Sequence, residues 1–518
     1  MHIGIDLGTT FCCVAYLDEG APQVIPDSRG REITPSVIWF NGKTAYVGEE
    51  ANRKKITAYD PIFEFFKRDM GRPTEDIPGK AAKAPYQVDG IKYGAIGMSA
   101  ILLRKLKRDT WQYFRKNRLI DESIKEMDFY IDAIITVPAY FGDEQRQATR
   151  MAGRLAGLNV IGIVNEPTAA SLTFGVSVNE DKRIMVFDLG GGTLDVTILE
   201  IRNRDFNKVL ATDGNVQLGG KDWDDLIIAY LRNEFSRATG TEIPDDRFYD
   251  IQQLAIQAKK DLSENEDTTV FISANGYDVE VKLHCTAPEG ASAMMVDMDV
   301  DGGVKFYFNE RAGELLASCA ARCQATLKKA HLTWDDIDEV VLAGGSCRMP
   351  MITHLLEGIS GKKIKIHREN FSYDTAIAIG AAIYGQNKGR IIDVTPKSIG
   401  IKLTKDTGER KEEYIDHLIY KNTELPASRR KKYYTDPRAV LDVYEGESNV
   451  PKECDFRGTL KLENTGSSAE IVIEVDESGI LKVMADYQPE GLKETKFSNS
   501  GVFPEYLTEK IQNITIIS

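Results

Sequence analysis

The chain has 518 residues, 42% hydrophobic and 28% charged, with a formal net charge of −14. At the usual ~150 residues per domain that length calls for several units, each with apolar residues enough for a core. The acidic balance argues against a general nucleic-acid binder or a protein drawn to anionic membranes, because phosphate would repel it.

The opening, MHIGIDLGTT, enters a strand pattern at once, without the charged and apolar leader of a secreted protein. No apolar run reaches the ~18 residues that span a bilayer, so a cytoplasmic location is expected. Strand Ile131–Val137, helix Asp143–Ala156, strand Arg183–Asp188 and helix Trp223–Arg237 carry an alternation through residues 1–385 that predicts α/β layers. Within it, RKLKRDTWQYFRKNR (Arg104–Arg118) fits an amphipathic helix with Ile101, Leu102, Leu106 and Tyr113 inward and a solvated cationic face. Cys319 and Cys323 share a helix face but lack nearby His or Cys to complete a metal site. The seven scattered cysteines read as reduced core thiols.

GQNKGR (Gly385–Arg390) is the natural linker stretch, and the interdomain linker is set at 386–394 after the α/β unit of 1–385. From Asp393 the runs shorten and alternate, as in Ala439-Val-Leu-Asp-Val-Tyr and Ile471-Val-Ile-Glu-Val, predicting an antiparallel β domain over 395–500. Inside it, SRRKKYY (Ser428–Tyr434) reads equally as a charged strand edge or the border of a peptide groove. Residues 501–518 form a short tail with at most one helical piece at Tyr506–Gln512.

Two turns repeat one chemistry. IDLGTT (Ile5–Thr10) and DLGGGTLD (Asp188–Asp195) each follow an apolar run with aspartate, glycine and threonine. Glycines let backbone N–H groups converge on an anion with no Cβ in the way. An aspartate at each strand end, Asp6 and Asp188, suits magnesium held through its water shell. One such turn could be a tight hairpin; two copies favour a nucleotide held in a cleft between related halves. No G-x-x-x-x-G-K-[ST] occurs, so this is not a P-loop. A third glycine-rich stretch, VVLAGGSCRMP (Val340–Pro350), would let adenine or ribose lie on backbone at Gly344 and Gly345 with Arg348 closing over it.

IDLGTT, ITVPAYF, RQATRMAGRLAGL, VNEPTAA, FDLGGGTLDVT, LGGKDWD, LAGGSCRMP and DVTPKSIGI together resemble the 70-kDa heat-shock chaperones of DnaK type, in that family's order and over residues 1–500. The short length is similar to a compact bacterial branch with little or no helical lid. The resemblance implies an actin- and hexokinase-like two-lobed α/β ATPase followed by an antiparallel β-sandwich that binds extended apolar peptides. It implies ATP/ADP and magnesium as ligands, potassium as a further one, and J-domain and nucleotide-exchange partners. Asp6, Gly8, Thr9, Thr10, Glu166, Asp188, Gly190, Gly191, Gly192 and Thr193 match positions meeting phosphate and metal water. Lys67 matches the lysine that positions the attacking water, and Asp195 a further cleft aspartate; by themselves Lys67 and Arg68 read as a surface pair and Asp195 as a hairpin cap. Around adenosine, Lys259, Lys260, Ser263, Gly344, Gly345, Ser346, Arg348 and Asp374 match, while the ribose-gripping glutamate is Ile256 here. Pro138, Arg146 and Asp393 match an interdomain relay, and Ile401, Tyr433 and Leu441 a peptide groove, although such strand residues are more often sandwich core.

Three departures bear on coupling. The apolar linker reads Lys388-Gly-Arg-Ile-Ile392, with fewer apolar groups to bury at about 1.5–3 kcal/mol each, so it should dock weakly. Gly142 and Gly162 stand where the family has an asparagine and an arginine used by J-proteins, predicting weak J-protein stimulation. A missing lid predicts fast peptide exchange, since affinity differences lie mostly in off-rate. Two other readings compete: a regulatory relative that binds nucleotide without a working cycle, and a small-molecule kinase on the same scaffold, which has no use for a β domain.

Overall fold

The computed structural model describes residues 1–56, 62–72, 86–175, 181–202, 206–286, 306–364, 372–386, 391–406, 411–434, 439–462, 468–487, 491–495 and 505–517. Two mixed sheets carry the first three-quarters of the chain. In the first, strands run in the order Asn159–Asn165, Asp132–Val137, His2–Leu7, Phe11–Asp18, Ala21–Val24, with Ile33–Pro35 added to Phe11–Asp18. In the second the order is Glu339–Ala343, Lys182–Leu189, Leu194–Arg202, Phe206–Asn215, Ile391–Ile392.

The repeat suspected from the two turns is visible in the pairing. His2–Leu7 runs parallel to Asp132–Val137 and antiparallel to Phe11–Asp18. Lys182–Leu189 likewise runs parallel to Glu339–Ala343 and antiparallel to Leu194–Arg202. Each glycine turn thus joins a central strand to its antiparallel neighbour. The central strands are buried nearly throughout, as continuous apolar runs covered on both faces must be.

Small residues let the halves approach. Helices Glu166–Gly175 and Ala376–Gln386 pack so closely that a Cβ on Gly380 would overlap the carbonyl of Ala169, and one on Gly4 the backbone of Ala382. Their shared core joins Ile134 and Val164 of the first sheet to Ile184, Val186 and Leu199 of the second. A second core fills the space under helices Gly220–Thr239, Phe248–Glu264 and Gly313–Ala330, with Cys319 and Cys323 buried in it. All seven cysteines are free, matching their reading as thiols.

Beyond Asp393 the chain forms two antiparallel four-stranded sheets: Lys411–Ile419, Ile399–Asp406, Val440–Glu445, Asp455–Lys461, and Ala427–Tyr434, Ser468–Val475, Leu481–Tyr487, Gly491–Thr495. Their inner faces share one core, including Ile401, Val443, Leu460, Ile471, Ile473 and Val483. SRRKKYY lies on Ala427–Tyr434 at a sheet edge, the charged edge that was one of its two readings.

Two expectations need correction. Helix Gly94–Lys116 does bury Ile101, Leu102 and Leu106, but its cations are not simply solvated. Lys105 is 2% exposed and pairs with Asp109 at 2.5 Å, while Arg104 and Arg108 bond backbone carbonyls of the C-terminal segment. That segment is more than a loose tail: helix Glu505–Gln512 is followed by strand Thr515–Ile517, which extends a sheet of Thr44–Val47, Ile38–Asn41 and Ile62–Phe63. No helix among the described residues is long and apolar enough to cross a membrane.

Candidate nucleotide site and the junction behind it

The two repeated turns meet. A Cβ on Gly191 would overlap the Thr10 side chain, and one on Gly192 that of Thr9, so only glycine lets the second turn close on the first. Gly219 touches the same turn, since its Cβ would fall on the backbone of Gly192. Gly190 N–H donates to Thr193 O at 3.0 Å, closing the turn, and Ser346 Oγ donates to Gly190 O at 2.9 Å.

Acids crowd this meeting point. Lys67 Nζ lies 2.5 Å from Glu166 Oε1, with the lysine 3% exposed, so it belongs to the interior and not to a surface pair. Arg68 is also buried: Nε donates to Gly192 O at 2.8 Å and Nη2 reaches Asp222 Oδ2 at 2.6 Å. It braces the second turn from the first half, a role hidden in a sequence where it reads as one more cation. Thr136 Oγ1 donates to Asp6 Oδ1 at 3.3 Å. Asp195 is no hairpin cap; Oδ1 accepts Tyr140 N–H at 3.1 Å across the halves.

Desolvation and then the charge of Glu166 push Asp6 and Asp195 up to about 7. The same causes, with Asp195 and Asp6 added, hold Asp188 well above the carboxylate range. Burial alone would lower Lys67, but Glu166 and Asp6 outweigh it and hold the ammonium above its ordinary value. Thr10 Oγ1, Asp188 Oδ2 and Asp195 Oδ2 are buried without a hydrogen-bond partner. Unpartnered oxygens and an excess of negative charge fit a hydrated divalent cation beside Asp6 and Asp188. No three His, Cys, Asp or Glu side chains among the described residues lie close enough to hold a metal directly.

The expected adenosine residues gather in two groups. Gly344 takes φ 78° and a Cβ there would sit 2.6 Å from Asp188 Oδ1, so this glycine brings the third stretch against the second turn. Arg348 pairs with Asp374 at 2.6 Å and lies 5.4 Å from the Tyr373 ring, beside Gly345. Lys259 Nζ meets Gly220 O at 3.0 Å and Asp224 at 2.7 Å, close to Ser346. Ser263 Oγ bonds Lys259 O, Lys260 points to solvent, and Ile256 is half-buried on the same helix.

Behind the site runs a junction with the sandwich. Arg146, 2% exposed, donates to Phe141 O, Ala139 O, Asn165 Oδ1 at 2.5 Å and Ser478 O at 3.1 Å. Asn165 Nδ2 then donates to Asp393 Oδ2 at 2.8 Å, and Thr168 Oγ1 joins at 3.1 Å. Arg146 and Asp393 of the expected relay are thereby connected through Asn165, next in sequence to Glu166; Pro138 contributes its carbonyl to Phe141 N–H. Sequence reading missed Glu445, Arg457 and Ser478. Leu481 N–H donates to Asp143 Oδ1 at 2.7 Å, and Arg457 donates to Glu144 at 2.5 Å and is ion-paired with Glu445 at 3.2 Å. Burial, then Glu445, pushes Asp143 up to about 7.

Gly142 acquires a second reason. Its Cβ would lie 2.5 Å from Glu445 Oε2, so a side chain there collides with the sandwich. Of the linker, Ile391 and Ile392 pair in parallel with Asn207 and Lys208 as an edge strand. Lys388 to Arg390 lie outside the described residues. The groove assignments fail as written: Ile401, Tyr433 and Leu441 are 0%, 6% and 7% exposed in the sandwich core, and Tyr433 Oη is bonded to Asp416. Strands alternate faces, and these three positions fall on the inward one.

A family model described as Hsp70 protein matches residues 2–511. A "Chaperone protein dnaK" from Emiliania huxleyi is 34% identical over 518 aligned residues, covering 93% of this chain and 77% of the relative.

Proposed function

The chain belongs to the Hsp70 protein family and is an ATP-hydrolysing chaperone, and from that premise we propose how its residues divide the work. Members of the family use ATP and ADP with magnesium, bind unfolded polypeptides and work with co-chaperones. We assign residues 1–385 to a two-lobed, actin-like ATPase domain, 386–394 to the linker, 395–500 to a peptide-binding sandwich and 501–518 to a short segment after it.

The observation that carries this reading is the contact of the two glycine turns over Lys67 and Glu166. Thr9, Thr10 and the N–H groups of Gly190 to Thr193 would cradle the phosphates, while Asp6 and Asp188 would hold a hydrated magnesium ion. When bound, magnesium supplies positive charge against the phosphoryl oxygens. Lys67, steered by Glu166, orients the attacking water and steadies charge on the transferring group. Asp195 offers its unpartnered Oδ2 to the proton that water gives up. Gly344, Gly345, Ser346, Arg348, Asp374, Lys259, Lys260 and Ser263 line the adenosine side, with Ile256 weakening the grip on ribose.

Arg146, Asn165 and Asp393 link the residue beside Glu166 to the linker and to Ser478 of the sandwich. This polar chain supports ATP-coupled docking of the sandwich despite the short apolar linker, whose own contribution is weak. J-protein stimulation is weak, the compartment cytoplasmic, and potassium a further cofactor. Single-turnover ATP hydrolysis with and without an apolar peptide tests the reading: peptide stimulation is expected, slow unresponsive turnover would favour a regulatory relative, and phosphoryl transfer to a metabolite a kinase.

A further inference from the structure

The C-terminal segment is seated on the ATPase domain, not on the sandwich that precedes it in sequence. Helix Glu505–Gln512 packs against Gly94–Lys116 and Asp143–Leu155. Strand Thr515–Ile517 then pairs in parallel with Thr44–Val47, setting Thr515 against Thr44, Ile516 against Ala45 and Ile517 against Tyr46. Ile511, Ile514 and Ile516 are 0%, 6% and 7% exposed within the core of the first half, while Thr515 and Ile517 face out. Arg104 Nη1 donates to Ile511 O at 2.6 Å and Ile514 O at 2.8 Å, and Arg108 Nη1 to Ile516 O at 2.6 Å. Main-chain pairing along an edge with alternate side chains in apolar pockets is how sheets capture extended peptides; here two cations also hold the carbonyls.

We infer that the Thr44–Val47 edge with Arg104 and Arg108 is a strand-binding site whose ligand is this chain's own segment Ile511–Ile517, and that the seated segment tethers the sandwich. The last described strand of the sandwich ends at Thr495, and the seated helix begins at Glu505. Fully extended, the link between those residues reaches about 35 Å. At its other end the sandwich is fixed by Ile391–Ile392. While the tail is seated, the sandwich moves away only within that reach and redocks at a high effective concentration. This consequence rests on the proposed cycle, in which the sandwich leaves the ATPase domain after hydrolysis.

The test cuts the tether without removing the tail. A protease site is inserted between Thr495 and Glu505 of the full chain, and the protein is folded before it is cut. The tail fragment is expected to co-elute with the body on gel filtration; a fragment that separates overturns the strand site. In ADP, small-angle scattering should give a larger radius of gyration for the cut than for the uncut chain, with the two alike in ATP. A cut chain no more extended in ADP than the uncut one overturns the tether. Replacing both arginines (R104A with R108A) in the cut chain should speed tail release at least tenfold, and an unchanged rate removes them from the site. ATP turnover of the uncut chain is measured alongside, so that an absent ATPase activity is told apart from an absent tether.

Discussion

The nucleotide cleft and the sandwich junction both bury charge, but they balance it oppositely. In the cleft Asp6, Glu166, Asp188 and Asp195 face Lys67, and one oxygen each of Asp188 and Asp195 has no partner. At the junction Arg146 and Arg457 face carbonyls, an amide and carboxylates, so cations and acids balance, although Arg457 Nε makes no hydrogen bond. In the proposed reading a cation and phosphates complete the cleft, whereas the junction is completed by the docked sandwich. Ligand binding therefore governs the first and conformation the second, with Asn165 and Glu166, adjacent in sequence, belonging one to each.

The sharpest break of this contrast is Lys67→Ala. It removes the cation of the cleft and nothing from the junction. Single-turnover hydrolysis should fall about 10²–10³-fold, the scale of losing one positioned electrostatic stabiliser, with ATP binding and sandwich docking kept. Unchanged hydrolysis would take Lys67 out of the mechanism. On the junction side, Arg146→Ala strands Asn165 and Asp393 and should cost docking about 3 kcal/mol, the scale of breaking a buried charged network. Peptide stimulation of turnover should disappear while the basal rate survives; retained stimulation would mean that the relay runs elsewhere.

The same contrast explains what could be read from the sequence. The cleft is made of turns whose glycines announce themselves locally, so IDLGTT, DLGGGTLD and LAGGSCRMP pointed to it before any fold was known. Arg68 escaped because its partners, Gly192 and Asp222, lie in the other half. The junction joins Arg146 to Ser478 and Asp143 to Glu445, pairs hundreds of residues apart that no periodicity marks. Groove residues went wrong for a related reason: alternation along Ile399–Asp406 identifies two faces of a strand but not which one a second sheet covers. The tail strand was missed because three residues carry too little pattern, and its burial depends on a sheet edge far earlier in the chain.

Gly142→Asn tests whether that glycine serves docking or merely lacks a J-protein contact. Its new side chain meets Glu445, a carboxylate with some freedom to move, so the cost to docking should be about 1–3 kcal/mol. Limited proteolysis of the linker in ATP should quicken. If instead docking is untouched and a J-protein now stimulates turnover, the glycine records a lost partner and Glu445 has room to yield.

The smallest effect expected is of pH, and it belongs to the junction. In the docked structure Asp143 is held at about 7 against an ordinary 3.8, through burial first and Glu445 of the sandwich second, against the lowering effect of Gln147, Leu481 N–H and Arg457. Glu144, Asp455, Arg146 and Lys397 complete the charged surroundings. The docked state therefore binds a proton that the free carboxylate has already lost. Its stability is greatest below pH ~4, falls as pH rises through the docked value and levels off above it. Between about pH 6 and about pH 7.5 docking should weaken by about 1 kcal/mol, read as an increase in linker cleavage in ATP. Asp143→Asn, which cannot titrate, should flatten that dependence while leaving single-turnover hydrolysis in the cleft alone. A variant with the same pH slope as the parent would place the titrating group elsewhere, with the cleft acids Asp6 and Asp195 the next to replace, and would mean that the two charge clusters respond to pH together.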